Sequence, residues 1–171
     1  MKINRLFFVL IVFVSSCKLE SSKKVNFSDE INRYNYLDKP HKLKFIYDFE
    51  NIFSEAQSQN LYNKVLDIYS KDSLVFIFIS DKKPLRRSFS ESTIIINDIF
   101  KEKYDLDKII TLKMSKKTRE VALAYSESLS PKINDSICLL VIKNVIKPNF
   151  KKNKYFDGIN NSIDSIIKHT K

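Results

Sequence analysis

Two periods of apolar residues alternate along this chain. Leu61, Tyr62, Val65, Leu66 and Tyr69 fall at the spacing of one helical face, because 3.6 residues per turn returns i, i+3, i+4 and i+7 to the same side. Ser54-Glu55-Ala56-Gln57 precedes them and has the form of a capping box, in which serine accepts from the third helical amide and glutamine reaches back. A helix is predicted from Ser54 to about Ser70. Lys44 to Tyr47 reads as a short strand before it. Leu74-Val75-Phe76-Ile77-Phe78-Ile79 follows, short, β-branched, aromatic and apolar at every position. Such a run predicts a central strand covered on both faces.

Beyond the basic, Pro84-containing loop from Asp81 to Arg87, Ser88 and Glu91 form a second capping pair. They predict a helix from Ser88 to Lys103, although Ile94-Ile95-Ile96 would also suit a strand. Ile109 to Met114 and Arg119 to Tyr125 are strand candidates, and Ser115-Lys116-Lys117-Thr118 between them is short enough for an antiparallel hairpin. Asn134 or Asp135 can cap a third helix, with Ile137, Leu140, Val141 and Val145 on one face, which Pro148 ends or kinks. Tyr155, Phe156, Ile159, Ile163, Ile166 and Ile167 define a final amphipathic helix to about His169. The order β, α, β, α, β, β, α, α favours a mixed sheet with helices on both faces.

The N-terminus follows another rule. Lys2 and Arg5 precede a continuous apolar run from Leu6 to Val14, and Val14-Ser15-Ser16-Cys17 ends it. A charged start, a short apolar core and small residues before a cut are the parts of a secretory signal. The core is too short for a membrane span, which takes roughly 20 residues as a helix. The cysteine after two small residues resembles the bacterial lipobox, where cysteine is acylated and becomes the mature N-terminus. This divides the chain into a signal peptide, 1–16, a lipid-anchored polar tether, 17–43, and a domain, 44–171. An ordinary secreted protein with a chance cysteine is the alternative. Lys18 in place of Asp argues, by analogy with lipoprotein sorting, for the outer membrane of a two-membrane cell envelope.

Composition narrows the rest. Without residues 1–16 the mature chain has 28 basic and 20 acidic side chains, a balance of +8. Lysines are spread along the chain rather than clustered, and the envelope location makes nucleic acid an unexpected partner. With Cys17 acylated, Cys138 has no mate; it lies in Ile137-Cys138-Leu139-Leu140 and is expected to pack as a small hydrophobe. A monomeric domain of this length can bury a core without disulfides.

From about Phe45 to Lys171 the chain resembles the TPM domain family. That family includes a thylakoid-lumen protein linked to photosystem II repair and many bacterial envelope proteins. The resemblance rests on Tyr47-Asp48-Phe49-Glu50-Asn51-Ile52-Phe53-Ser54-Glu55, on Asn134-Asp135-Ser136-Ile137-Cys138, and on the stretch from Val145 through Pro148 and Phe150 to Tyr155-Phe156-Asp157-Gly158-Ile159. It implies an α/β fold, a three-layer α/β/α sandwich with a mixed central sheet of about four strands and helices on both faces. Some plant members are described as acid phosphatases and some bacterial members bind calcium. The chain departs from the family pattern at two places. Tyr104-Asp105-Leu106-Asp107-Lys108 stands where the family has Asn-Gly. Ala124-Tyr125-Ser126-Glu127 stands where it has Gly-Tyr-Gly-x-Glu, so both glycines are gone and the loop is expected to be remodelled.

Five carboxylates are the candidate metal ligands: Asp48, Glu127 and Asp135, with Asp105 and Asp107 behind them. Clustered, they would suit calcium, which takes six to eight oxygen ligands, and the resemblance implies that the matching loops gather at one edge of the sheet. Each has a plainer reading: Asp135 as a helix cap, Asp48 as an acceptor for turn amides, Glu127 as a solvated side chain. His41 and His169 lie in the tether and at the C-terminus, so a His-based triad lacks material, and the single Gly158 rules out a glycine-rich phosphate loop. The expected function is a membrane-anchored binding or assembly module with an envelope protein partner. A cation-dependent, acid-phosphatase-like enzyme is the alternative, and a purely structural lipoprotein is a third.

Overall fold

The computed structural model describes residues 43–81 and 88–170. The predicted signal peptide, nearly all of the predicted tether, and the loop 82–87 lie outside the described residues. The elements are β1 (Ile46–Asp48), α1 (Glu55–Asp72), β2 (Leu74–Ser80), α2 (Phe89–Lys103), β3 (Lys108–Ser115), β4 (Glu120–Tyr125), a 3-10 turn (Glu127–Leu129), α3 (Asp135–Val141), a π-helical stretch (Ile142–Ile146), α4 (Lys147–Lys151) and α5 (Tyr155–Thr170). The four strands lie in the order β1-β2-β3-β4. The first three are parallel, and β4 returns antiparallel to β3 through the predicted hairpin.

Local chemistry accounts for the boundaries. Ser54 and Ser88 both cap as the spacing predicts: each hydroxyl accepts from the amide three residues on, and Gln57 or Glu91 accepts the amide of its cap. Ile94-Ile95-Ile96 is helical. Ser92, Thr93, Ile96, Asn97 and Phe100 of α2 are buried together, which is a helical spacing. Every residue of β2 is buried, as a strand covered on both faces must be.

Register partners share a face of the sheet. Ile46, Phe78, Leu112 and Leu123 are aligned across all four strands. Phe78 meets Phe53, which in turn meets Phe156 of α5, so this face looks towards α1 and α5. Lys64 of α1 joins the two helices, donating to the Asn160 carbonyl at 3.0 Å and pairing with Asp164 at 2.7 Å. The opposite face is covered by α2, where Thr111 donates to Asn97 at 2.9 Å. The result is a three-layer α/β/α sandwich with one continuous core. Among the described residues this core begins at Phe45 and ends at Ile166.

Three expectations change. The first strand is Ile46–Asp48, later than the predicted Lys44–Tyr47, because Phe45 is still in a bend. Of the two outcomes predicted at Pro148, an end or a kink, the end does not occur. Proline lacks an amide proton and clashes with the carbonyl four residues back; the preceding π stretch opens the turn, Lys147 N–H bonds the Ile142 carbonyl, and Pro148 falls in the first turn of α4. The third helix also buries a different face. Cys138, Val141, Ile142 and Ile146 are inside, while Leu140 is 54% exposed and Leu139 39%. Cys138 packs as a small hydrophobe, as its apolar surroundings suggested.

Candidate functional site

Parallel strands end together, and the carboxyl edge of such a sheet is where α/β folds place their sites. Here Asp48, Ser80 and Met114 are aligned at that edge. The Ser80 hydroxyl donates to Asp48 Oδ1 at 2.6 Å and accepts the Glu50 amide at 2.9 Å. Asp48 Oδ2 accepts the Phe53 amide at 2.9 Å. Asp48 therefore organises the turn that leads into α1. Glu50 reaches across to the hairpin, accepting the Lys116 amide at 2.6 Å and the Lys117 amide at 3.3 Å.

On the α2 side of the same edge lies a polar group that the sequence reading did not single out. Lys113 is wholly buried. Its Nζ donates to the Ser92 hydroxyl at 3.0 Å, sits 3.9 Å from Asp81 Oδ2, and lies 4.8 Å from the centre of the Phe89 ring. A buried ammonium group is costly without such compensation. The signal was present in β3: Thr111, Lys113 and Ser115 alternate with Ile110, Leu112 and Met114, which marks one face of the strand as polar.

A cleft of about 380 Å³ opens between β1 and α1, lined by Lys44, Ile46, Asp48, Phe53, Gln59 and Tyr62 among others. β1 is the edge strand of the sheet, so the cleft runs beside a strand flank with no neighbour among the described residues. Tyr47, on the other face, packs against Phe100 with ring centres 5.5 Å apart. Burial pushes its phenol far above the usual tyrosine range, and the neighbouring Tyr104 phenol adds to this. Tyr104 is raised too, by burial.

The other four candidate carboxylates lie at the opposite end of the sheet. Asp107 precedes β3, and Glu127 follows β4, which runs antiparallel. Asp107 stands seven residues before Met114, the level of Asp48, which is roughly 23 Å along a strand. Asp135 Oδ1 accepts the Tyr125 hydroxyl at 3.1 Å, while Asn134 is the cap of α3, accepting the Ile137 amide at 3.0 Å. Glu127 and Asp107 are exposed. The Asp107 carbonyl accepts the Ser128 hydroxyl at 2.6 Å, and Ser126 exchanges bonds with the Ile109 backbone. Asp105 has φ 50 and closes α2, with the Leu106 amide bonded to the Lys101 carbonyl. That is the left-handed position glycine or asparagine usually takes after a helix. Ser126, by contrast, stands at a family glycine with an ordinary φ of −73, so this loop is built on serine hydroxyls rather than on backbone freedom.

Calcium needs several oxygens converging on one point. The five carboxylates are divided between two ends of the sheet, and among the described residues no three Asp, Glu, His or Cys side chains gather in an arrangement that could hold a metal ion. The donor set as placed does not fit the ion.

Fold and site together define an α/β/α sandwich whose edge carboxylates serve its own loops beside an open cleft. The family model for the TPM domain matches residues 46–169, and the chain belongs to that family. Among the solved structures that share the fold are the following three. The N-terminal domain of a P. gingivalis protein, determined in solution, is 12% identical with a TM-score of 0.65, covering 86% of this chain and 92% of that one. The BA42 protein of Bizionia argentinensis is 11% identical with a TM-score of 0.61, covering 71% and 83%. The N-terminal domain of the cg2496 protein of Corynebacterium glutamicum is 9% identical with a TM-score of 0.55, covering 78% and 85%. At such identities these likenesses establish the fold. No curated protein matches the sequence.

Proposed function

We propose that this chain is a membrane-anchored TPM-domain lipoprotein of the bacterial cell envelope, acting as a binding or assembly module. The observation that carries the reading is the N-terminal order of Lys2 and Arg5, the apolar run Leu6 to Val14, and Ser15-Ser16 before Cys17. Acylation of Cys17 by more than one chain would hold the domain stably at a membrane, whereas one chain binds only marginally. The module reading draws support from the site. Asp48, Glu50 and Asp135 already accept hydrogen bonds from the fold, and the cleft along β1 leaves room for an envelope protein segment.

Replacing Cys17 by Ser and fractionating the cells tests the anchor. The wild-type protein is expected in the membrane fraction and Cys17→Ser outside it; equal membrane recovery of both would contradict the anchor.

The enzyme alternative draws on one observation, that Asp48 and Asp81 both stand at the carboxyl edge of the parallel strands. Phosphomonoester turnover by residues 17–171 with Cys17→Ser, lost in Asp48→Asn, would favour it over the module.

A further inference from the structure

The face of the third helix that the fold leaves outside has a composition of its own. Leu139 and Leu140 are consecutive and exposed on α3. Lys143 in the π stretch and Lys147 and Lys151 in α4 follow Leu139 and Leu140 along one continuous helical run, so leucines and lysines succeed one another in a strip of sequence along it. Lys143 and Lys151 are exposed, as are Lys152 and Lys154 just beyond. Between Ser130 and Phe156 the chain has six lysines and one acid, Asp135. Asp135 is half-buried and bonded to Tyr125. The inner face of the same helix is apolar and closes on the core, with Cys138, Val141, Ile142 and Ile146 buried. The outward leucines are therefore not needed to cover the core.

We infer that this strip is a docking surface for an anionic lipid bilayer, and that it sets how the tethered domain lies on its membrane. The inference rests on the membrane-anchored reading. Apolar side chains beside lysines suit the boundary between headgroups and acyl chains, because leucine can enter while each lysine stem lies along the surface with its ammonium group at the phosphates. Anionic headgroups attract each nearby lysine, and the attraction fades within a Debye length. By itself the strip binds a bilayer weakly and reversibly. The lipid on Cys17 would supply the residence, and the strip would choose the orientation.

The experiment uses residues 17–171 with Cys17→Ser, so that no lipid can be attached, in sedimentation with phosphatidylglycerol-containing vesicles and with pure phosphatidylcholine vesicles. Binding to the anionic vesicles, much weaker binding to the neutral ones, and loss at high salt are expected. Leu139→Ser with Leu140→Ser, and separately Lys143→Glu with Lys151→Glu, should each weaken partitioning by about tenfold or more. Lys71→Glu with Lys117→Glu changes net charge equally on α1 and the hairpin and should weaken it far less. Circular dichroism confirms that each variant is folded. The inference is overturned if the parent fragment does not bind, if it binds both vesicles equally, if the leucine variant binds like the parent, or if both charge variants lose binding equally. Any of these leaves the anchor reading intact, since that depends on acylation of Cys17, which the Cys17→Ser fragment cannot carry.

Discussion

Asp48 and Ser80 are register partners on neighbouring parallel strands, and the Ser80 hydroxyl donates to Asp48 Oδ1 at 2.6 Å. The same carboxylate takes the Phe53 amide, and the same hydroxyl takes the Glu50 amide. One strand pair thus fixes the turn into α1. A residue that the family resemblance offered as a metal ligand is engaged here by the protein's own donors.

Asp48→Ala removes an acceptor from two donors, one of them a backbone amide. The expected loss is about 1–3 kcal/mol in denaturant unfolding, with Asp48→Asn losing less because one oxygen survives. An unchanged midpoint in Asp48→Ala would show that the turn does not depend on this carboxylate.

Lys113 and Asp81 are two buried charges 3.9 Å apart. Removing one takes the opposite charge away from the other, and breaking a buried pair in this way costs about 3–5 kcal/mol. Lys113→Met and Asp81→Asn should each destabilise strongly, and the double variant by less than their sum. A coupling of at least about 1 kcal/mol is expected in the double-mutant cycle; strict additivity would mean the charges act separately.

Gly158 permits a close approach rather than an unusual backbone. A Cβ there would stand 2.8 Å from Phe150 Cε1 and 3.2 Å from Asn149 Cβ. Alanine in place of glycine ordinarily stabilises a helix by about 1 kcal/mol. Here Gly158→Ala should instead destabilise by about 1–3 kcal/mol, the usual cost of overpacking, as a lowered melting temperature. A rise would show that the Phe150 ring gives way freely.

Ser54 with Gln57 and Ser88 with Glu91 are local chemistry, so both helix starts were legible from four residues each. The doubly apolar run Leu74–Ile79, the hairpin and the stripe of α5 were equally plain. The exposed Leu140 was not. Ile137, Leu140, Val141 and Val145 have helical spacing, and so do Cys138, Val141, Ile142 and Ile146, so a helical wheel alone does not choose the buried face. Nor could spacing show that Asp48 lies at one end of the sheet and Asp107 and Glu127 at the other, because that depends on the direction of each strand. The partners of Lys113 come from α2 and from Asp81 just after β2, so only the alternation within β3 pointed to its burial.

Tyr47 gives a pH dependence. Burial and the Tyr104 phenol raise its folded pKa above the unfolded value, which is about 10. The folded state then holds the phenolic proton more tightly. Its stabilising contribution is complete below about pH 10 and is lost as pH rises beyond that. The melting temperature should fall over this range more steeply in wild type than in Tyr47→Phe. Identical curves would mean that Tyr47 ionises like a solvated tyrosine.

The most direct test of the membrane-anchored account is the mass of the N-terminal peptide from protein recovered from cell membranes. The account predicts a chain that begins at Cys17, with residues 1–16 removed and the thiol carrying a diacylglyceryl group. An uncleaved N-terminus, or a mature peptide with an unmodified Cys17, would contradict it.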